Sequence, residues 1–199
     1  MARTVAISDI ELDNDEAVAL LTHVFSDDDR PASLVDARVR YLQRVDFPCQ
    51  ARTGRGRRTT HDLRAILKLT VALTLIDFGV PAARAAQTVA GRWDLVGTNL
   101  ADAWACASRD VAPSADDMPV LTFAPWLLSE SDGALTVNRL TRAMLSSNSP
   151  ASTHAIYTRL LVDCLSLVEA VATGLGDVSR YRVEEIKAAF GSFAQRPLD

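Results

Sequence analysis

The sequence predicts a mainly α-helical fold: a winged helix-turn-helix followed by a mixed α/β region with a long C-terminal helix. Apolar residues recur at three- and four-residue spacing through most of residues 14–90 and again near the C-terminus. A loop rich in glycine and arginine separates two predicted helix pairs, and two later apolar stretches are separated by a hairpin signal. We therefore expect a flexible acidic leader over 1–13, a winged-helix domain over 14–92 and a helical or α+β region over 93–199.

The composition is that of a globular protein with one domain or two small ones. The chain has 199 residues, of which 48% are hydrophobic, and a formal net charge of −4. Its three cysteines are too few and too scattered for a disulfide framework, which favours a reducing compartment. No apolar run reaches the roughly 20 residues of a membrane helix and no signal peptide is visible. The sequence predicts a cytoplasmic protein without a membrane segment.

Two helices joined by a turn are predicted at the start of the winged-helix region. Asn14 is suited to cap the first helix, which ends at the acidic turn and proline of residues 26–31. Ser33 is suited to cap the second, which runs to about Val45. Its predicted apolar stripe consists of Val35, Val39 and Leu42.

The next elements are a loop and a second helix pair. Residues 48–58 are predicted to form a loop or short hairpin with glycines at its tip. Thr59 begins a capping-box spacing that opens a third helix, and residues 79–81 stop that helix. A short fourth helix is expected from Ala82 to about Val89.

The C-terminal half is predicted to contain a helix over 95–107, a hairpin formed by 120–128 and 135–140, and a long helix over 152–174. Apolar residues of the long helix recur at alternating four- and three-residue spacing, which is typical of a helix packed along another. That packing is either between two copies of the chain or within one. The candidate dimer interface consists of Tyr157, Leu161, Val168 and Val171.

Positive charge is concentrated in one segment of this acidic chain. Between residues 37 and 68 there are nine basic residues and two acidic ones, a local net charge of +7, so the other 167 residues carry −11. Segregated positive charge on an acidic protein favours a polyanionic partner. Arg40 and Arg44 fall on the helix face opposite the apolar stripe, and Arg38 falls at its edge. Exposed arginines on a helix are also common where nothing binds, so this alternative stays open.

The same segment resembles a known family. Residues 38–48, R-V-R-Y-L-Q-R-V-D-F-P, resemble the recognition-helix stretch of MerR-type regulators, which commonly read T-L-R-Y-Y-E-R-x-G-L. Arg40, Tyr41 and Arg44 match that motif residue by residue. The arginine-rich loop, the Asp62-Leu63 pair and the segment 78–80 resemble the wing, the start of the next helix and the joint after it. The resemblance covers roughly residues 14–90.

This resemblance implies a sequence-specific transcription regulator that binds duplex DNA as a homodimer. Residues 34–45 would be the recognition helix in the major groove, and residues 50–58 the wing on the backbone or minor groove. Arginine suits both positions because its planar guanidinium binds guanine edges or phosphates. The candidate DNA-binding residues are Arg38, Arg40, Tyr41, Arg44, Arg52, Arg55, Arg57 and Arg58.

One alternative from a different class is a protein-interaction module, in which the winged helix is a scaffold and its arginines bind an acidic protein surface. No nucleophile, phosphate-binding or dinucleotide-binding motif is present, so we do not expect an enzyme. The histidines and cysteines lack the spacing of a zinc site, so we expect neither a metal nor a cofactor. The sequence leaves open a small-molecule or protein effector and the choice between activation and repression.

Overall fold

The computed structural model describes residues 10–26, 31–48, 60–108, 114, 118–123, 137–141 and 160–198. Seven helices and five strands lie within these ranges. In chain order they are β1 (Glu11–Asp13), α1 (Asn14–Phe25), α2 (Ala32–Arg44), β2 (Thr60–Asp62), α3 (Leu63–Asp77), α4 (Ala82–Gly91), α5 (Trp93–Ala107), β3 (Pro119–Phe123), β4 (Val137–Thr141), β5 (Leu160–Asp163), α6 (Cys164–Val178) and α7 (Val183–Gln195). The fold is mainly α-helical, as predicted.

The strands form two small antiparallel sheets. β1 pairs with β2, and β3 is the middle strand of a three-stranded sheet in the order β4-β3-β5. In the second sheet, Pro119 lies opposite Thr141 and Phe123 lies opposite Val137. This pairing confirms the predicted association of the apolar stretches 120–128 and 135–140.

Three helices begin directly after a strand, at an aspartate that caps them. Asp13, Asp62 and Asp163 end β1, β2 and β5 and are the N-caps of α1, α3 and α6. Each carboxylate accepts hydrogen bonds of 2.7–3.2 Å from backbone N–H groups in the first turn. Loss of such a cap typically costs about 1 kcal/mol, so these aspartates fix where each strand becomes a helix.

The predicted helix starts are therefore corrected. Asn14 is the first residue of α1 and not its cap, and α3 is capped by Asp62, whereas the predicted cap Thr59 lies outside the described residues. α2 begins at Ala32 without a side-chain cap, so Ser33 lies inside that helix.

The end of the expected flexible leader is part of the folded core. Ile10 and Leu12 are completely buried, and Glu11–Asp13 forms β1 in register with β2, where Leu12 lies opposite His61. The prediction of a frayed leader up to residue 13 is thus wrong for residues 10–13. Their burial depends on a partner strand nearly fifty residues away, which local sequence does not reveal.

One hydrophobic core joins the two halves of the chain. α3 contributes most to it, because ten of its fifteen residues are buried. α1 packs against α6, and α5 packs against both α6 and α7, so buried residues from both sides of position 92 form a single cluster. The expected division into 14–92 and 93–199 does not separate two cores.

A strand replaces part of the long helix predicted over 152–174. Leu160–Asp163 forms β5 on the edge of β3, and α6 begins only at Cys164 and continues to Val178. The run Leu160-Leu161-Val162 fits a buried strand or a helix equally well, and its pairing with β3 decides between them.

Candidate nucleic-acid interface

Helix α2 is held on the protein surface by one buried face. That face packs against α1, α3 and α4, and its buried residues are Val35, Val39 and Leu42, as predicted. The opposite face is exposed and carries Arg40 and Arg44, which are one helical turn apart. Tyr41 lies beside them with 44% of its surface exposed. The structure thus brings together the three residues that match the MerR-type motif.

Arg40 is held by a carboxylate of its own helix. Its Nε donates to Asp36 Oδ1 at 3.0 Å, and its Nη2 lies 2.9 Å from Asp36 Oδ2. The Arg40 side chain remains 67% exposed. Exposed pairs at this four-residue spacing contribute only about 0.3–0.5 kcal/mol, so the contact orients the guanidinium more than it stabilises the helix.

Arg38 is turned away from the exposed face. Its Nη1 donates to Asp77 Oδ1 at the end of α3, and the two side chains are only 25% and 17% exposed. Its inclusion among the DNA-binding residues is therefore corrected, because the guanidinium that would contact DNA is already bound to a half-buried carboxylate. The contact between Arg38 and Asp77 thus connects α2 to α3.

Arg44 is the arginine of α2 that stays available. It is exposed in the last turn, and among the residues that the structure describes it has neither a hydrogen-bond nor an ion-pair partner. A cation at this end of a helix is favoured by the helix dipole. Arg44 can therefore reach an external anion without giving up a contact with any of the described residues.

The predicted wing arginines, Arg52, Arg55, Arg57 and Arg58, lie outside the described residues. The two ends of their segment are described. α2 is followed by residues 45–48, and Thr60 begins β2, which pairs with β1 directly ahead of α1. Since α1 also packs on α2, both ends of the segment are anchored to the same group of elements.

The two remaining basic residues of the segment contact the C-terminal part of the chain. Arg64 Nη2 donates to the carbonyl of Arg196 at 3.3 Å, and Lys68 Nζ lies 5.0 Å from the ring centroid of Trp93. Both residues belong to α3, and their partners lie at Trp93 and Arg196, so they are not part of the exposed face of α2. The basic residues of segment 37–68 therefore do not form one surface among the described elements, because those of α2 and those of α3 have different surroundings.

The candidate dimer interface on the C-terminal helix is not one surface. Val168 and Val171 are completely buried in α6, whereas Leu161 belongs to β5 and is 48% exposed. Tyr157 lies outside the described residues. The assignment of Val168 and Val171 to an intermolecular contact is corrected, because both side chains are already used by the chain's own core.

One flank of α2 is apolar and exposed. Leu34, Tyr41 and Val45 lie along this flank, and Phe78 follows Asp77, which binds Arg38 on the same flank. Next to it, a groove of about 390 Å³ runs between the end of α2 and α4; Phe47, Pro48, Ala83 and Ala90 are among its lining residues. This flank can contact apolar groups of a partner.

A second groove lies between α5, α6 and α7. Its volume is about 750 Å³, and Trp104, Glu169 and Lys187 are among its lining residues. The Trp104 ring stacks on Phe190 with centroids 4.4 Å apart, so it is fixed in place. The groove is distant in sequence from α2 and offers an aromatic ring, a carboxylate and an ammonium group to a ligand.

Among the residues that the structure describes, two polar side chains are buried with no hydrogen-bond partner on any polar atom. Neither ring nitrogen of His61 and neither amide atom of Asn99 has one. Burial lowers the pKa of His61 from 6.5, while the nearby Asp62 carboxylate acts in the opposite direction. With its pKa below 6.5, His61 is a neutral imidazole at pH 7; it lies in β2 opposite Leu12 of β1.

The structure describes two of the three cysteines, Cys106 and Cys164. Burial raises the pKa of the Cys164 thiol to about 12, and Cys106 is a half-exposed free thiol. Among the described ranges there is no group of three or more His, Cys, Asp or Glu side chains that could hold a metal ion. No helix within those ranges is long and apolar enough to cross a membrane.

Sequence reasoning found the arginines of α2 but missed the aspartates that bind them. The four-residue spacing of Asp36 and Arg40 was a usable signal, because such pairs meet on a helix surface. Asp77 gave no local signal, since it is 39 residues from Arg38. The candidate interface therefore consists of Arg40, Tyr41 and Arg44, with Asp36 bound to Arg40. No protein-family model, curated protein or solved structure matches this chain.

Proposed function

We propose that this chain is a transcription regulator that binds duplex DNA sequence-specifically. Helix α2 enters the major groove, and the segment 50–58 acts as a wing on the backbone or minor groove. The observation that carries this proposal is the division of α2 into a buried apolar face and an exposed face with Arg40, Tyr41 and Arg44. A rigidly anchored helix with exposed arginines is the form of a recognition helix.

The charge distribution supports the same function. The segment 37–68 has a net charge of +7 in a chain of net charge −4. Phosphate neutralisation by arginine and lysine supplies most non-specific DNA affinity, and the acidic remainder disfavours other docking orientations. A protein with this distribution approaches DNA with the basic segment first.

The order of elements supports a wing. The chain leaves the C-terminal end of α2 and returns in β2, whose partner β1 leads directly into α1. The intervening arginine-rich segment therefore starts and ends beside the helix pair α1–α2. A homodimer on a pseudo-palindromic site follows from this mode of binding, with a twofold interface that excludes the buried Val168 and Val171.

The test is an anisotropy titration of a fluorescent duplex library at low salt. The variant Arg40→Ala/Arg44→Ala should bind at least tenfold more weakly than the unmodified chain, since it loses two arginines at the proposed interface. The matched control is Arg92→Ala/Arg182→Ala, which removes the same charge from one half-exposed and one exposed position outside α2. Equal binding by all three proteins would contradict the placement of the interface on α2.

A second candidate function is a protein-interaction module. It is favoured by the apolar flank of α2, where Leu34, Tyr41, Val45 and Phe78 are each 39–48% exposed. Such a flank is suited to a protein surface that also carries acidic residues for the arginines. Absence of duplex binding at low salt, together with capture of an acidic protein that Leu34→Ser releases, would favour this function over DNA binding.

A further inference from the structure

We propose that Asp36 orients Arg40 to recognise a guanine in the bound duplex. Asp36 is then a positioning residue for sequence specificity, and Arg40 is the residue that contacts the base. This inference rests on the proposed function, because it names what one side chain of the interface reads.

The contact between the two side chains leaves one edge of the guanidinium open. Asp36 occupies the side of Arg40 that carries Nε and one N–H of Nη2, through contacts of 3.0 and 2.9 Å. A guanidinium has five N–H donors in one plane, so the edge formed by Nη1 and the outer N–H of Nη2 remains. Because the group is planar, fixing one edge fixes the direction of the other.

The open edge has the geometry of a guanine reader. Guanine presents two adjacent acceptors, N7 and O6, in the major groove, and a guanidinium binds both with parallel hydrogen bonds. The Arg40 side chain is 67% exposed and starts from the face of α2 that carries Arg44. A paired and pre-oriented arginine loses less side-chain freedom on binding than a free one.

The carboxylate also changes what Arg40 can bind. Asp36 repels phosphate and partly neutralises Arg40, which disfavours contacts with the DNA backbone. Arg44, one turn later, has no acidic partner among the described residues and is suited to phosphate. The two arginines therefore have different roles: Arg44 binds phosphate and positions the helix on the duplex, and Arg40 contacts a base.

A purely structural role for the pair predicts something different. If Asp36 only stabilised α2, its loss would weaken binding to every duplex equally. If it orients Arg40 and repels phosphate, its loss removes a base preference while non-specific binding becomes tighter. The two roles thus differ in the sign of one measured change.

The experiment is selection of duplexes from a randomised library by the full chain, followed by competition titrations. The proteins are the unmodified chain, Asp36→Asn, Arg40→Lys and the control Asp94→Asn, which removes an exposed carboxylate from the start of α5. We expect the unmodified chain and Asp94→Asn to select the same site with an invariant guanine. Asp36→Asn should lose about tenfold of the preference for that guanine and bind random duplex more tightly.

Arg40→Lys keeps the charge but not the two-donor edge, so it should lose the same guanine preference. Circular dichroism and thermal unfolding of each variant confirm that it folds. An unchanged guanine preference in Asp36→Asn, or an equal loss of affinity for all duplexes, overturns the inference and leaves the proposed function standing. Failure of the unmodified chain to bind any duplex at low salt overturns the proposed function itself.

Discussion

At the residue scale, aspartates determine which arginines of α2 can meet a ligand. Asp77 binds Arg38 in a half-buried pair, Asp36 binds Arg40 at the surface, and the described residues leave Arg44 without an acidic partner. Three arginines within seven positions therefore have three different roles. One connects two helices, one is oriented by a carboxylate, and one has no acidic partner among the described residues.

The first prediction concerns Arg38. Arg38→Ala should lower the free energy of unfolding by about 1–3 kcal/mol, because it leaves the mostly buried Asp77 carboxylate without this charged donor. Arg44→Ala should change it by less than about 0.5 kcal/mol, since Arg44 is exposed. Urea unfolding monitored by circular dichroism measures both values. Similar stability losses in the two variants would show that Arg38 does not connect α2 to α3.

The second prediction concerns His61. Its pKa in the folded protein is lowered by burial, so the unfolded chain takes up more protons once the pH falls through 6.5. Stability should be full above pH 6.5 and should decrease below it, by up to about 1.4 kcal/mol per pH unit. His61→Leu should lack this dependence between pH 6.5 and 5.5 and should be about 1 kcal/mol more stable at pH 7.5, because it removes the unpaired buried polar atoms at position 61.

The control for His61 is His23→Gln. The side chain of His23 is 43% exposed beside Asp177, so its substitution should leave the decrease below pH 6.5 in place. Urea midpoints measured from pH 5.5 to 7.5 give the comparison. A dependence on pH that is equally steep in His61→Leu would mean that other groups cause it.

At the element scale, α1 and α6 approach closely because α6 has a glycine at their contact. A Cβ added to Gly174 would lie 2.7 Å from Leu20 Cδ1 and 3.2 Å from His23 Cδ2. A Cβ at Gly176, two residues later in the same helix, would meet nothing within 4 Å. One helix therefore contains a glycine required by packing and another that packing does not require.

The third prediction uses this pair of glycines. Gly174→Ala should destabilise the protein by about 1–2 kcal/mol, because overpacking between α1 and α6 outweighs the gain in helix propensity. Gly176→Ala should stabilise it by about 0.5–1 kcal/mol, because the methyl group has open space and alanine favours a helix. Thermal unfolding compares both with the unmodified chain. A stabilised Gly174→Ala would mean that Leu20 moves aside at little cost.

At the element scale, local sequence patterns predict the helices from α1 to α5 but not the short strands. The helices from α1 to α5 have the apolar spacing, the acidic or proline-containing stops and the glycine joint that local rules recognise, and the structure places them within a few residues of the prediction. β1, β2 and β5 have only three or four residues each, too few for an alternating pattern. Their formation depends on partners far along the chain, which is why a leader and a long helix were expected instead.

Some residues of the candidate site could be predicted from the sequence, and others could not. Arg40 and Arg44 could be identified because a helical period of 3.6 residues puts them opposite Val35 and Val39, and Tyr41 because it lies beside them in the motif that resembles MerR-type regulators. The ion pair between Arg38 and Asp77 could not be predicted, because it depends on how α2 packs on α3. The buried position of Val168 and Val171 likewise depends on packing, since an apolar seam fits either an intermolecular or an internal contact.

At the scale of the whole molecule, one core connects the proposed DNA-binding helix to the C-terminal helices. α1 packs on both α2 and α6, so a single helix connects the proposed recognition helix to the C-terminal helices. The groove at Trp104 opens between α5, α6 and α7. Of these three helices, α6 also packs against α1.

The fourth prediction follows from the single core. Urea unfolding followed by tryptophan fluorescence should coincide with unfolding followed by far-ultraviolet circular dichroism, because all three tryptophans lie at or after position 93 while helices lie on both sides of it. Coincident transitions indicate one cooperative unit. Two separated transitions would show that residues 14–92 and 93–199 unfold independently.

The most direct test of DNA recognition by α2 is the salt dependence of duplex binding. The logarithm of the binding constant is measured against the logarithm of salt concentration from about 50 to 200 mM for the unmodified chain, Arg44→Ala and Arg38→Ala. The unmodified chain should show a steep negative slope, Arg44→Ala should reduce its magnitude by about 1, and Arg38→Ala should leave it unchanged. Absence of binding at about 50 mM salt, or the same slope for Arg44→Ala and the unmodified chain, would contradict the account.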